Sequence, residues 1–251
     1  MAVPLDRQDA YPTFARKQVM QEGVFRRRQL PHWDVDDKPV FITACLAGSL
    51  SAKGLKRIRQ YRTDLDNREC PKGLTLQEWE TRKSKLVFRM VDQMLDYHSP
   101  VRYLEDDNQA ETVSNALLHF AGARYELLAF VVMPSHYHWL FRPLESWVAS
   151  LIEQQHKNSA CNVRTPRERI TQSIQSFTAN ECNRIRGASG TYWQGETFDH
   201  WVRDDDELSK IIHYIEQNPV KAGLVSTAEE YAWSSAAERF RKQIDSIQAQ
   251  S

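Results

Sequence analysis

Two histidines separated by a single residue are the part of the sequence best suited to chemistry. His136 and His138 lie within residues 133–141, which read MPSHYHWLF. Side chains alternate along a β-strand, so both imidazoles would share one face while Tyr137 and Trp139 face the core. Two neighbouring imidazoles supply half of a metal site. Two histidines on a half-exposed strand would give the same pattern, so the pair alone leaves both interpretations open.

A tyrosine and an asparagine form the second candidate group. Residues 204–217 carry apolar residues at helical spacing, which predicts a helix with a core-facing stripe that ends before Pro219. At 100° per residue, Tyr214 and Asn218 fall about 40° apart on one flank of that stripe. The phenol and the amide would therefore point the same way. An amphipathic packing role for Tyr214 and a helix-terminal hydrogen bond from Asn218 are the alternatives.

The charge of the chain is balanced in total but not along its length. The sequence has 33 Lys and Arg and 33 Asp and Glu. Residues 1–62 hold twelve basic and six acidic residues, whereas residues 197–232 hold three basic and eight acidic ones. Neutrality therefore does not exclude a nucleic-acid partner.

A binding site for single-stranded nucleic acid combines basic side chains, which contact phosphates, with aromatic side chains, which stack on bases. Such residues cluster near the N-terminus, and a second basic patch follows later in the chain. A solvated basic face would give the same pattern in both places. The DNA-binding candidates are Arg26, Arg27, Arg28, His32 and Trp33, with Arg164 and Arg167 in the second patch.

The apolar and turn patterns predict an α+β fold, with helices packed on an antiparallel sheet. Residues 39–236 are interpreted as a single domain, between a polar, basic N-terminal segment (1–38) and a polar C-terminal tail (237–251). Two helices within residues 51–97 form a helical hairpin inserted after the first strand, and the second begins with the capping-box pattern Thr75-Leu-Gln-Glu78. Strands are predicted over 39–46, 125–133, 136–141 and 197–202, and helices over 51–65, 75–97, 109–122, 144–158, 166–186 and 204–217.

Several classes of protein are excluded by composition. No apolar run approaches the roughly 20 residues that span a bilayer, and the N-terminus lacks the apolar core of a secretory signal. The four cysteines form no CxxC pair, which argues against a zinc ribbon or a thioredoxin-like site. We expect a cytoplasmic protein with reduced thiols and no membrane partner.

Taken together, these segments resemble the HUH (His–hydrophobic–His) single-tyrosine transposases of IS200/IS605 type, and within them the REP-associated tyrosine transposase branch. The resemblance covers about residues 25–240 and rests on the order and spacing of short motifs. After MPSHYHWLF these are SFTA at 176–179, YWQ at 192–194, FD at 198–199, VR at 202–203, YI at 214–215, NPVKAGLV at 218–225 and WSSA at 233–236.

The resemblance implies a ferredoxin-like (RRM-like) antiparallel sheet and metal-assisted cleavage and rejoining of single-stranded DNA. Tyr214 would be the nucleophile that forms a 5′-phosphotyrosine intermediate. His136, His138 and, as third ligand, Asn218 would hold a divalent cation, Mg²⁺ or Mn²⁺. The implied partner is single-stranded DNA with a hairpin formed by a palindromic repeat, in the nucleoid, and the protein would be a monomer or a homodimer.

The sequence departs from the family pattern at two places. Ser135 stands where Asn is usual, and Gln175 stands where Lys is usual, so one contact to the DNA backbone is in doubt. Two other functions remain open: a domesticated nicking and joining enzyme acting on host palindromic repeats, and a catalytically silent nucleic-acid-binding module. A purely structural metal protein is disfavoured, because no third strong ligand flanks the histidines in sequence.

Overall fold

The computed structural model describes residues 23–27, 31–35, 38–158, 164–195 and 197–249. These residues form both strands and helices. The strands are β1 (Gly23–Arg27), β2 (Pro31–Val35), β3 (Val40–Cys45), β4 (Tyr125–Met133), β5 (His136–Pro143) and β6 (Phe198–Trp201). The helices are α1 (Ala52–Asp66), α2 (Leu76–His98), α3 (Asp107–His119), α4 (Glu145–Asn158), α5 (Pro166–Ile185), α6 (Asp205–Lys221) and α7 (Glu238–Gln248).

The centre of the fold is a four-stranded sheet in the order β4-β5-β3-β6, and every neighbouring pair is antiparallel. β4 and β5 are joined by a two-residue turn, so that Met133 pairs with His136. In the register of β3 against β5, Thr43 lies opposite His138 and Cys45 lies opposite His136. The predicted α+β class with an antiparallel sheet is confirmed.

The two faces of the sheet have different coverings. On one face the aromatic side chains of β5, including Tyr137 and Trp139, join the main core, to which α3, α5 and α7 contribute apolar side chains. On the other face, α6 packs Ile215 against Phe41 and its neighbours. The alternation predicted for β5 therefore holds, because its histidines point to the α6 face.

The predicted helical hairpin is present directly after the first strand of the sheet. α2 begins with the capping box, in which Glu78 N–H donates to the Thr75 hydroxyl at 3.2 Å and Thr75 N–H donates to the Glu78 carboxylate at 2.7 Å. Val91 and Leu95 of α2 pack on Cys45 of β3. The inserted hairpin thus covers the histidine-bearing face of the sheet, next to α6.

Three expectations about chain ends and helix ends need correction. Within the N-terminal segment that was interpreted only as polar and basic, residues 23–27 and 31–35 form the antiparallel pair β1–β2. The C-terminal segment is a helix rather than a polar tail, because Phe240 and Ile244 are buried in the main core and the Phe240 ring meets Phe130 at a centroid distance of 5.1 Å. α6 continues through Pro219 to Lys221. The proline removes one backbone donor, but the hydrogen bonds after it re-form, as Ala222 N–H donates to Asn218 O at 2.9 Å.

Among the described residues, no helix combines the length and the apolar composition that crossing a membrane would require.

Candidate active site

The two imidazoles of β5 face each other inside the protein. His136 and His138 are both fully buried, and their Nε2 atoms are 3.2 Å apart. Each Nδ1 atom contacts a hydroxyl: Ser135 Oγ lies 3.0 Å from His136 Nδ1, and Thr43 Oγ1 lies 2.7 Å from His138 Nδ1. Hydroxyl partners on Nδ1 orient the rings so that both Nε2 atoms point into a common space, as in protein metal sites.

Ser135, the departure from the family pattern, sets the tautomer of His136. Its hydroxyl donates to the carbonyl of Leu95 at 3.1 Å. The same oxygen then accepts a hydrogen bond from His136 Nδ1–H, which leaves Nε2 with an unshared electron pair. Serine therefore performs an orienting function that requires only one donor and one acceptor.

Helix α2 brings two carboxylates to the imidazoles. Asp92 Oδ1 lies 3.2 Å from His138 Nε2, and Asp96 Oδ1 lies 3.8 Å from His136 Nε2. The side chains of Asp92 and Asp96 are 2% and 0% exposed. Because they are four residues apart on one helix, both lie on the face that meets the sheet.

The sequence interpretation missed these carboxylates and found no third strong ligand. A signal was nevertheless present. Phe88, Val91, Asp92 and Leu95 stand at positions i, i+3, i+4 and i+7 of α2, so an acid occupies a place in the apolar stripe where a hydrophobic residue is expected. An acid at such a place must find a partner inside the protein.

The side chains present fit a divalent cation. Ligand atoms of Asp92, His136 and His138 all lie within 4.8 Å of one another. Among the described buried atoms, both carboxylate oxygens of Asp96 and Asn218 Oδ1 have no hydrogen-bond donor. Buried oxygen atoms without donors are costly, and a cation would satisfy several of them together with the Nε2 atoms.

Tyr214 and Asn218 extend this centre from α6. Asn218 Nδ2 lies 3.3 Å from His138 Nε2 and donates to the Tyr214 hydroxyl at 3.4 Å. The Tyr214 ring contacts His138 at a centroid distance of 5.4 Å. The two residues share a flank of the helix as predicted, and the structure brings all four predicted residues together.

Lys221, on the last turn of α6, neutralises part of the acidic charge. Its Nζ atom is 2.8 Å from Asp92 Oδ2 and 3.6 Å from Asp96 Oδ2. Burial opposes ionisation of Asp92, but hydrogen bonding and charge from His138 and Lys221 hold its pKa well below the ordinary value. Burial and the charge of Asp92 raise the pKa of Asp96 to about 6.

The same surroundings keep the imidazole and the phenol neutral. Burial, followed by the neighbouring His138, lowers the pKa of His136 well below its ordinary value. Burial and the negative charge of Asp92 raise the pKa of Tyr214 far above its ordinary value. At neutral pH the centre therefore offers an unprotonated His136 and a protonated phenol.

A cleft of about 300 Å³ leads from the surface to Tyr214. It runs between the inserted helices α1 and α2, the edge strand β6 and helix α6. Apolar aromatic rings and basic side chains both contribute to its walls. Among the lining residues are Phe41, Phe88, Phe198, Lys85, Lys210 and Tyr214.

The structure describes only some of the DNA-binding candidates. Arg28 lies outside the described residues, as do the side chains of the four candidates in β1 and β2, which are Arg26, Arg27, His32 and Trp33. The backbone of β1 nevertheless places Arg26 opposite His32. Arg164 is exposed.

Arg167 requires a correction. Only 5% of this residue is exposed, and its guanidinium lies 3.2 Å from the Asp199 carboxylate of β6. The sequence interpretation treated it as a surface cation, but its charge faces a buried acid inside the protein. It is therefore not available to a DNA phosphate in this structure.

The fold and the centre define a class: an α+β protein in which a buried imidazole pair on a sheet faces a tyrosine on a covering helix. No family model matches the chain. A Haemophilus influenzae protein that carries the name REP-associated tyrosine transposase is 26% identical over 116 residues, which are 44% of this chain and 58% of that protein. The chain is thus similar to the branch that its motifs indicated.

A solved structure described as a REP-associated tyrosine transposase bound to a REP hairpin also aligns with the chain. The alignment covers 80% of this chain and 78% of that one, with 15% sequence identity and a TM-score of 0.42. At this level of similarity we draw no conclusion about fold or activity from it.

Proposed function

We propose that the protein is a metal-dependent transposase of the HUH single-tyrosine type, a site-specific endonuclease and ligase for single-stranded DNA. The observation that carries the proposal is the convergence of Tyr214 with the His136–His138 pair. Tyr214 contacts His138 and accepts a hydrogen bond from Asn218 at 3.4 Å. A phenol beside a candidate cation centre is an arrangement that supports covalent phosphoryl transfer.

In the proposed reaction, the Tyr214 hydroxyl oxygen attacks the phosphorus of a phosphodiester. A bond forms between that oxygen and phosphorus while the bond from phosphorus to the 3′ oxygen breaks. In net terms the phenol proton passes to the 3′ oxygen, so the products are a 5′-phosphotyrosine and a free 3′-hydroxyl. Attack by a 3′-hydroxyl on the phosphotyrosine reverses these changes and rejoins strands without an external energy source.

The residues around Tyr214 have distinct roles in this proposal. Asn218 donates to the Tyr214 oxygen and holds it beside His138. His136 and His138, with Asn218 as the further ligand that the resemblance implies, would hold the cation. A bound divalent cation supplies Lewis-acid polarisation of the phosphate and favours the ionised phenol. Ionisation of the phenol matters because the raised pKa of Tyr214 keeps it protonated at neutral pH, and a protonated phenol is a weak nucleophile.

The proposed substrate is single-stranded DNA next to a hairpin formed by a palindromic repeat. The name of the Haemophilus relative supports a link to such repeats. The cleft beside Tyr214 supports a single strand, because its aromatic walls suit base stacking. A duplex would keep its bases stacked and could not use those walls.

An adduct assay tests the nucleophile. The full chain, incubated with Mn²⁺ or Mg²⁺ and hairpin-bearing single-stranded oligonucleotides, should give a protein–DNA adduct that survives SDS. The adduct should be absent in Tyr214→Phe and after chelation. Tyr103→Phe, which removes the hydroxyl of a partly exposed tyrosine stacked under Arg186, is the matched control and should form the adduct normally.

Two outcomes would contradict the proposal. An adduct that persists in Tyr214→Phe would show that another group is the nucleophile. Binding to hairpin oligonucleotides from palindromic repeats, without any adduct, would favour the catalytically silent binding module.

A further inference from the structure

We infer that Asp92, on the inserted helix α2, is a direct ligand of the divalent cation, and that the cation thereby fastens the inserted hairpin to the histidine-bearing face of the sheet. The inference rests on the proposed function for the presence of a cation. It adds to the resemblance, which implies only the two histidines and Asn218 as ligands.

The geometry of the Asp92 carboxylate supports a liganding role. Its two oxygens have different surroundings: Oδ2 accepts a hydrogen bond from Lys221 at 2.8 Å, whereas Oδ1 faces His138 Nε2 at 3.2 Å. The side chain is 2% exposed. Lys221 therefore orients the carboxylate through one oxygen and leaves the other directed at the imidazole pair.

The buried side chains around the imidazole pair include more acidic than basic groups. The carboxylates of Asp92 and Asp96 lie against the pair, and Lys221 Nζ lies 2.8 Å from Asp92 and 3.6 Å from Asp96. Because a buried carboxylate is stabilised by a cation beside it, a divalent ion between Asp92 and the imidazoles suits this geometry.

The set of ligand atoms indicates the class of ion. Two imidazole nitrogens and a carboxylate oxygen, with the amide oxygen that the resemblance implies for Asn218, form a mixed nitrogen–oxygen shell. Mg²⁺ prefers shells made of oxygen, whereas Mn²⁺ accepts both carboxylate oxygen and imidazole nitrogen. We therefore expect Mn²⁺ to bind more tightly than Mg²⁺.

The position of Asp92 has a structural consequence. His136 and His138 belong to β5, and Asp92 belongs to a helix that enters the fold as an insertion after β3. A cation bound by both elements links them, and it binds the folded chain far better than the unfolded one. Binding should therefore stabilise the contact of α2 with the sheet.

The test is a Mn²⁺ titration of the full chain without DNA, in which electron paramagnetic resonance reports the free ion. Asp92→Asn keeps the shape and the Lys221 contact but removes the charge, and it should weaken Mn²⁺ binding by about 100-fold or more, since even outer-shell substitutions cost about 10- to 100-fold. Asp64→Asn, on the exposed side of α1, is the matched control and should bind as the wild type does.

A second measurement does not depend on a variant. Hydrogen exchange of the wild-type chain should slow in residues 76–98 of α2 when Mn²⁺ is added. Unchanged Mn²⁺ affinity in Asp92→Asn, or exchange in α2 that does not respond to Mn²⁺, would overturn the inference.

The two proposals fail in different ways. If Asp92→Asn leaves the Mn²⁺ affinity unchanged but the Tyr214 adduct forms, the proposed function stands and the inference about Asp92 is wrong. If Mn²⁺ binds through Asp92 and no adduct forms with hairpin DNA, the ion site is correct and the proposed function is wrong.

Discussion

Glu207, in the first turn of α6, offers a direct test of the electrostatics beside the cleft. Its carboxylate lies 2.9 Å from Lys85 Nζ, 3.1 Å from His200 Nε2 and 3.4 Å from Arg203 Nε, and the side chain is 12% exposed. Burial alone would raise the pKa of Glu207, but the hydrogen bond from Lys85 and the neighbouring positive charges lower it from 4.5 to about 2. Glu207→Gln would keep an acceptor oxygen and remove the charge.

The size of the effect follows from that shift. One pKa unit corresponds to about 1.4 kcal/mol, so the full shift corresponds to about 3 kcal/mol. Lys85 and Arg203 are 56% and 48% exposed, so solvent screens part of this energy. We expect Glu207→Gln to lower the free energy of unfolding by about 1–2 kcal/mol at pH 7.

The stabilisation that Glu207 provides depends on pH. Because the pKa of Glu207 is lower in the folded chain than in the unfolded one, its stabilisation is complete above about pH 4.5 and disappears as the pH falls toward about 2. Urea unfolding, followed by tryptophan fluorescence at a series of pH values, should show the deficit of Glu207→Gln shrinking over that interval. Glu111→Gln, exposed on α3, is the control. A deficit that is independent of pH would refute the electrostatic explanation.

Two further substitutions test the stability of α7 and of α2, the helix that carries Asp92. Phe240→Ala should lower the free energy of unfolding by about 3–4 kcal/mol, because the ring is 3% exposed and packs on Phe130. The control Gln243→Ala, at an exposed position of the same helix, should change the free energy of unfolding little. Equal effects of the two substitutions would show that α7 is not part of the core. Thr75→Ala should cost about 1 kcal/mol by removing the cap of α2, measured by urea unfolding, and an unchanged midpoint would contradict the observed capping box.

Local periodicity was sufficient to predict β5 and the flank of α6. Alternation along a strand placed His136 and His138 on one face, and helical spacing placed Tyr214 beside Asn218. These relations depend only on residues close together in sequence. They survive in the folded chain because the core on the opposite face requires the same register.

The contribution of α2 could not be derived in that way. Asp92 stands 44 or more residues before the histidines, and its contact with His138 depends on how the inserted helix crosses the sheet. Periodicity gives the buried side of a helix but not the strand that it meets. The prediction that Arg167 contacts DNA was wrong for a related reason, because its partner, Asp199, comes from the edge strand β6.

The C-terminal helix α7 was not predicted for a different reason. Its polar composition suggested a tail, although Phe240 and Ile244 are four residues apart and both face the core. Two apolar residues in a short polar segment are weak evidence for a helix, because a helix of this length gains most of its stability from packing. The sheet supplies that packing, and composition alone does not reveal it.

The turn between β4 and β5 works as a fixed-length spacer. Pro134 O accepts a hydrogen bond from Leu104 N–H at 3.1 Å, and Ser135 O accepts one from Leu46 N–H at 2.9 Å, so the turn is held by neighbouring segments as well as by its strands. Loss or gain of one residue here would shift β5 by one position and exchange its two faces. Tyr137 and Trp139 would then stand opposite Asp92, and the histidines would enter the apolar core. Homologues that keep this chemistry should therefore keep the number of residues in this turn.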